Sequence, residues 1–419
     1  MSAQLPDGPH LRRLRGLVNE SNPTLRILRA NLAAADARAR AAGYSPAMVA
    51  ELEIEDVPGG LDLPAAGSIR LDVWKQVPNA ARRSAQRAAG QIERETAELG
   101  MTAGARWIEA RLSHAILRGA GEALVARRLA AEDSLLAEAE ESLREKLAVG
   151  GARYLDVLRL RTERLRIQSE LHTAATAARI ARQQLVAMAT SAEVELSTEG
   201  IVDSALAESM RADPADAPPQ ALGFDSLIAA ASTVWRADLN ARGATVAADL
   251  IRANQRPDIA AGLGFQRFAG ESGGHQVGPT IGVSVSLPFT ARRGNQLALE
   301  AAELEVAAAA AAHNGAIAHA RATMSIRAER FEALRQQLAR YDTTLLIGAS
   351  EERETALSAY RNGTITLLDF LDFERALRHA EVEVLRLRIS AAAALVELYS
   401  GVFAPASDDS DSLDAGATP

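Results

Sequence analysis

Carboxylates and arginines are the side chains with chemistry to offer here, because the 419 residues include no cysteine. Thiolate nucleophiles, disulfides, cysteine-ligated zinc, iron–sulfur clusters and a lipidated N-terminal cysteine are thereby excluded. The histidines, His10, His114, His172, His275, His313, His319 and His379, form no HExxH-type pair, and His313 and His319 fall on different faces of a helix. They read as surface or packing residues, so no metal site is expected. Gly262-Leu-Gly264 lacks the third glycine and following helix of a dinucleotide fingerprint, and Asn362-Gly-Thr364, though it fits a glycosylation sequon, reads as a turn. No catalytic constellation results, and neither an enzyme nor a cofactor is expected. What remains is Asp369 with Asp372, three apart and hence on one helix face. Aspartate is also favoured by the dipole at any helix start, so a solvated start is the other reading.

These carboxylates need elements to hold them. The net charge of −8 and the lack of clustered positive charge exclude a dedicated nucleic-acid binder. No uncharged apolar run reaches the roughly 20 residues of a membrane-spanning helix, whereas barrel strands of about 10 alternating residues stay possible. The start, Met1 to Gly8, has neither a basic n-region nor an apolar h-region, which implies either a cytosolic chain or a targeting segment missing from this sequence.

Proline positions divide the chain, because a proline inside a helix costs about 3 kcal/mol. Residues 79–213 contain none, nor does the stretch from 289 to the C-terminal tail, and both are rich in Ala, Leu, Arg, Glu and Gln. Long helices are expected there, at about 79–148 and about 292–360, each followed by a returning helix, at about 152–189 and about 364–401. An internal repeat ties the two halves together. Pro78-Asn-Ala-Ala-Arg82-Arg83 recurs as Pro288-Phe-Thr-Ala-Arg292-Arg293, Pro46 pairs with Pro257, and Gly150-x5-Asp156-Val-Leu158 pairs with Gly363-x5-Asp369-Phe-Leu371.

The fold class is therefore mainly α with two β-hairpins: a duplicated unit of helix, hairpin, long helix and returning helix. We place the first repeat at 1–189, a linker at 190–222, the second repeat at 223–403 and a small acidic tail at 404–419, disordered by its composition. The opening helix runs from Ser21 to Ala42, capped by Asn22 or Ser21 with Pro23 at its first position. Strands are expected at about 46–77, around a Pro58-Gly-Gly60 turn, and at about 257–288. Leu52 and Ile54 alternate with Glu51, Glu53 and Glu55, and Ile69, Leu71 and Val73 with Arg70 and Asp72. Ile259, Ala261, Leu263 and Phe265 alternate with small or polar residues, as do Ile281, Val283, Val285 and Leu287. That pattern suits a barrel wall between lipid and water, and equally a hairpin packed on a soluble core. In the last helix Leu368, Leu371, Val382, Leu385, Ile389 and Val396 follow heptad spacing, interrupted by Arg375 and Arg378.

These residues resemble the outer membrane factor (TolC-like) family over roughly 11–403. Asn22-Pro23-x-Leu25 is similar to the family's opening helix, and Arg256-Pro257-Asp-Ile259 and Gly282-Val-Ser-Val-Ser-Leu-Pro288 to its strands. The most specific stretch runs from Ala359-Tyr360 through Gly363 to Asp369-Phe-Leu371-Asp372 and resembles the second periplasmic turn. The resemblance implies a homotrimer, with four strands per protomer in a shared 12-stranded outer-membrane barrel and the helices in a periplasmic α-barrel. It further implies an exit duct that works with a periplasmic adaptor (membrane fusion) protein and an inner-membrane transporter. Drug or heavy-metal efflux of the RND type is the expected role, and type I protein secretion the alternative. A soluble coiled-coil scaffold is the rival from another class.

By the same resemblance Ile259, Leu263, Phe265, Ile281, Val283, Val285 and Leu287 face outer-membrane lipid, and the turns at Val149, Gly150, Gly151 and Ala152 and at Asn362, Gly363 and Thr364 meet the adaptor. Gly151 stands where the family carries a leucine. Asp369 and Asp372 match positions lining the closed aperture, which in a trimer become two rings of three carboxylates favouring cations. The family ties its second turn to the aspartate at Asp156 through an arginine, but Ile365 occupies that position here. Arg153 or Arg361 is the expected replacement.

Overall fold

The computed structural model describes residues 9–44, 46–55, 67–151, 153–189, 204, 224–269, 275–286 and 292–400. The elements are α1 (Pro9–Ser21), α2 (Pro23–Ala41), β1 (Val49–Glu55), β2 (Ser68–Val77), α3 (Ala80–Ala148), α4 (Tyr154–Ala189), α5 (Phe224–Ala229), α6 (Ser232–Asn254), β3 (Ile259–Ala269), β4 (His275–Val285), α7 (Arg292–Arg340), a π-helical turn (Tyr341–Leu345), α8 (Leu346–Arg361) and α9 (Leu367–Ser400). They form two compact units, each drawing on both halves of the chain: Ala30–Leu99 with Trp235–Ala316, and Met1–Arg29 with Gly100–Val234 and Ile317–Pro419.

The first of these units holds a four-stranded antiparallel sheet in the order β1-β2-β3-β4. Residues paired directly across antiparallel strands share a face, so the register sorts the side chains. Ala50, Val73, Leu263 and Ile281 form one row, Leu52, Leu71, Phe265 and Pro279 the next, and Val77, Ile259 and Val285 another, all on one face. Leu263 is 66% exposed and Ile281 82%. The other face carries Glu51, Asp72, Gly264 and Thr280 in one row and Trp74, Gly262 and Gly282 in another. Its glycines have a steric reason. A Cβ on Gly262 or Gly282 would come within 2.6 or 2.5 Å of the Trp74 indole, and one on Gly264 within 2.0 Å of the Asp72 carboxylate. Asp72 accepts a hydrogen bond from Thr280 Oγ1 at 2.6 Å and pairs with Arg70 at 3.0 Å.

Asn79, directly after Pro78, caps α3 by accepting the Arg82 N–H at 2.8 Å, and its own amide donates to Asp258 beside the start of β3. Helices in this unit approach closely through small residues: a Cβ on Gly90 would lie 3.0 Å from the Ala39 Cα. Exposed pairs such as Arg38–Glu93 at 2.7 Å and Arg252–Glu303 at 2.9 Å link neighbouring helices.

In the other unit Leu11, Leu14 and Val18 of α1 bury against Leu25, Ile108, Leu112, Ile116 and Leu185. The sequence reading gave α1 no helix, although this spacing is a helical apolar stripe. The break comes at Asn22, whose Oδ1 accepts the N–H groups of Thr24 and Leu25 at 3.0 and 3.3 Å, with Pro23 as the first residue of α2.

Two expectations need correction. The second long helix is interrupted: the π-helical turn Tyr341–Leu345 separates α7 from α8, whereas α3 is unbroken over 69 residues. And α9 does not bury a single seam. Leu371 and Val382 pack on α3 and α4, whereas Val384 and Leu387 pack with Leu338 of α7. A helix with neighbours on several sides needs a wider apolar surface than one heptad stripe. Among the described residues no helix is long and apolar enough to cross a membrane. The Pro58 turn, Leu287, Ala152, nearly all of the linker and the acidic tail lie outside the described residues.

Candidate functional site

The two turns expected to matter share one backbone device. After α3 the Gly151 N–H bonds to Lys146 O at 2.7 Å and the Gly150 N–H to Leu147 O at 3.0 Å. After α8 the Thr364 N–H bonds to Ala359 O at 2.9 Å and the Gly363 N–H to Tyr360 O at 3.0 Å. Both are Schellman endings, which need a left-handed residue in the middle. Gly150 has φ +80° and Gly363 φ +72°. Gly151 has no such need, and a Cβ there would meet only Lys146, at 3.4 Å. Val149, Asn362 and Thr364 are exposed beside these glycines.

The helix starts that follow have diverged. Thr366 caps α9: its N–H and Oγ1–H both donate to Asp369 Oδ2, at 2.9 and 2.7 Å, and the Asp369 N–H faces Thr366 Oγ1 at 3.3 Å. These bonds from Thr366, the hydroxyl first, hold the Asp369 carboxyl below the usual aspartate range. At the matching place before α4 stands Arg153, whose carbonyl accepts the Asp156 N–H at 3.1 Å. Among the described residues no ion pair joins Asp156 to Arg153 or Arg361. Asp372 is exposed and pairs with Arg375 at 2.8 Å.

The two arginines that break the heptad pattern of α9 belong to a buried ion chain. Arg378 donates to Glu132 Oε1 of α3 and to Glu163 Oε1 of α4, both at 2.9 Å. Their side chains are only 8%, 6% and 3% exposed. Arg375 reaches Glu163 Oε2 at 2.7 Å, Arg128 reaches Glu132 Oε2 at 3.3 Å, and Arg128 also bonds Glu381. The sequence reading missed these glutamates. A signal existed: Glu132 lies in the stripe Val125, Leu129, Leu136, and Glu163 between Leu160 and Ile167, which marks carboxylates at core positions.

Burial acts most strongly on Glu132 and pushes its pKa up, with Arg378 and Arg128 opposing it only in part. Burial also pushes Glu163 up, but the bonds from Arg375 and Arg378 outweigh it and hold its pKa down. The signs therefore differ. Glu163 contributes stability that is present above its unfolded pKa of about 4.3 and lost as pH falls through its folded value. Glu132 loses stability as pH rises from its unfolded pKa to its folded one. Relative to the parent, Glu163→Gln is expected to look worst at neutral pH and to recover below about pH 4. Glu132→Gln should trend the opposite way. Thermal midpoints of both variants at pH 7 and pH 4 check this, and parallel trends would reject the assignment.

On the sheet, Ile259, Leu263, Phe265, Ile281, Val283 and Val285 share the exposed apolar face. Among the described residues no group of three or more His, Asp or Glu side chains could hold a metal ion.

No family model and no curated protein matches the chain. Solved structures do. A membrane protein from Pseudomonas aeruginosa aligns at 19% identity with TM-score 0.77, covering 96% of this chain and 93% of that one. The outer membrane protein VceC of Vibrio cholerae aligns at 18% identity with TM-score 0.74, covering 94% and 95%. The CmeC outer membrane channel of Campylobacter jejuni aligns at 11% identity with TM-score 0.72, covering 97% and 89%. At these identities the likeness concerns the fold, and it extends over nearly the whole of each chain. This chain has the fold of outer membrane channel proteins, the fold that its resemblance to the outer membrane factor family implied.

Proposed function

We propose that the chain is one protomer of a trimeric outer-membrane duct of the outer membrane factor type, passive in itself and fed through a periplasmic adaptor by an inner-membrane transporter. The observation that carries the reading is the sheet, apolar along one exposed face and ending in β1 and β4 with no further strand among the described residues. Unpaired edge groups in hydrocarbon cost several kcal/mol each, so a spanning sheet must close. Three copies edge to edge supply 12 strands, with the apolar face toward lipid and the face bearing Asp72 and Trp74 toward the lumen. Strands of 10 or 11 residues in β2, β3 and β4 match a tilted crossing. Drug or heavy-metal efflux of the RND type is the role we assign, and type I secretion could use the same duct.

Expression behind a signal peptide and detergent extraction test this. A particle of three times 44.4 kDa with planar-bilayer conductance is expected. A soluble monomer or dimer without conductance would favour a scaffold. In the trimer Asp369 and Asp372 form rings at the aperture. Asparagine can keep the Thr366 cap, so Asp369→Asn with Asp372→Asn should reduce cation preference without unravelling α9. An unchanged reversal potential rejects the gate assignment. Crosslinks to an adaptor are expected from Val149 to Ala152 and from Asn362 to Thr364; crosslinks found only elsewhere would move the docking site.

A further inference from the structure

The paired arginines of the repeat, Arg82-Arg83 and Arg292-Arg293, have no role in the lumen, the turns or the aperture. We infer that they belong to a basic collar, at the helix-side border of the sheet, which binds the anionic headgroups of phospholipids. This collar rests on the duct reading, to which it adds the class of lipid that the barrel prefers.

One end of the sheet collects these residues. Val77, Ile259 and Val285 pair across it as the last apolar row, and the chain enters or leaves this end through residues 41–50, 74–83, 254–262 and 284–293. Those four stretches hold Lys75, Arg82, Arg83, Arg256, Arg292 and Arg293 against a single acidic residue, Asp258. Asp258 is the tie at the centre. Its carboxylate accepts from Asn79 and Arg82 at the start of α3, and its N–H donates to Ser286 Oγ after β4 at 2.9 Å. Asn79 also donates to Ala253 O at 3.1 Å, and Gln255 donates to Asn295 O of α7 at 3.0 Å. These bonds set the three segments that carry the arginines side by side. No single stretch of sequence shows the cluster, because the fold assembles it.

Arg82 is answered by Asp258, whereas the other arginines are not answered. Among the described residues Arg83, Arg256 and Arg293 make no ion pair and no side-chain hydrogen bond. Helix chemistry does not account for them either. Neither α3 nor α7 has an acidic residue in its first turn, and cations at that place oppose the helix dipole.

Lys75 points to what covers the collar. It lies in the row with Ala261 and Val283 on the apolar face, one row inside the border. Its Nζ donates to Pro46 O at 2.8 Å, outside the sheet at this same end. A lone ammonium on an apolar face that reaches for its rim is the behaviour of a lysine at a headgroup boundary. Beside Pro46 stands Tyr44, 79% exposed, an amphipathic ring of the type enriched where membrane meets water. Residues 56–67, which join β1 to β2 at the other end, hold Asp56 and Asp62 and no basic residue. The positive rim is thus confined to one border of the apolar band. That combination fits a phospholipid, with acyl chains on the band and the phosphate on the rim. Free phosphate shares the anion chemistry but gains nothing from the apolar row beside it.

The test reconstitutes the full chain in phosphatidylcholine vesicles that carry a trace of spin-labelled phosphatidylglycerol or spin-labelled phosphatidylcholine. The motionally restricted fraction of each label gives the ratio of their association constants, and planar-bilayer conductance is recorded on the same preparations. The parent is expected to hold phosphatidylglycerol more tightly. Arg83→Gln combined with Arg256→Gln and Arg293→Gln should lower the ratio about fivefold or more, the factor for the roughly 1 kcal/mol that one basic residue contributes beside an anionic surface. Lysine at the same three positions should keep the preference. Arg159→Gln with Arg335→Gln and Arg340→Gln removes as much charge from exposed positions in the other unit and should leave the ratio as it is. An unchanged ratio in the first triple variant overturns the collar, as does an equal fall in the second. A preference abolished by excess inorganic phosphate at constant ionic strength would replace the lipid by the free ion and overturn it too. A conducting parent without lipid preference rejects the collar and leaves the duct standing. A parent that does not conduct, yet restricts phosphatidylglycerol through these arginines, rejects the duct and keeps the collar.

Discussion

Arg378→Ala is expected to destabilise the helical unit by about 3–5 kcal/mol, the range for removing one partner of a buried ion pair. The guanidinium is the shared donor of Glu132 on α3 and Glu163 on α4. Without it Glu132 keeps, among the described residues, the 3.3 Å approach of Arg128, and its buried Oε2 has no hydrogen bond from any of them. A denaturation midpoint measured in detergent checks the size of the loss. Arg378→Met combined with Glu132→Gln and Glu163→Gln should recover most of it, because the penalty lies in the stranded charge more than in the missing contact. A loss below about 1 kcal/mol for the single variant, the scale of an exposed pair, would mean that water reaches these carboxylates.

Leu263→Arg should prevent stable insertion. Leu263 lies in the row with Val73 and Ile281, near the middle of β3. An arginine facing lipid at the bilayer midplane costs about 2–4 kcal/mol. In the proposed trimer three protomers carry the change, so the cost repeats in each copy. Ser284→Arg, on the opposite face in the row of Gln76 and Ala260, should leave assembly intact and change conductance instead. Membrane fractionation and heat-modifiable mobility separate the two. Equal tolerance of both substitutions would reject the assignment of faces.

The sequence made some of this legible because steric rules act locally. Proline exclusion called for a long helix after Pro78, where α3 begins at Ala80, and period-two alternation marked the apolar residues that share one face of the sheet. The glycines at Gly150 and Gly363 marked both turns through their backbone conformation. What stayed hidden depends on partners far along the chain. Nothing near Arg375 or Arg378 says that they meet Glu132 and Glu163, more than 200 positions earlier, so in α9 alone they look like flaws in a seam. The π-helical turn has no residue code of its own. Arg153 and Arg361 were plausible partners for Asp156 by proximity in the repeat, yet the ion pairs form elsewhere, at core positions where burial makes pairing obligatory.

Trp74 has a consequence for how the chain comes to be folded. It sits on β2, in the first repeat, and rests on glycines of β3 and β4, in the second. Ser68 pairs with Phe268, 200 positions later. As the chain emerges from the N-terminus, the first hairpin therefore exists for some time with one edge waiting for a strand that has not yet arrived. Long-range pairing of this kind is slow and exposes the early strands to wrong partners. The alternating glutamates of β1, Glu51, Glu53 and Glu55, would keep such a waiting hairpin from joining another by charge alone. The order of synthesis makes the first repeat the more vulnerable half, and Trp74 emission provides an intrinsic signal for the moment the second repeat rescues it.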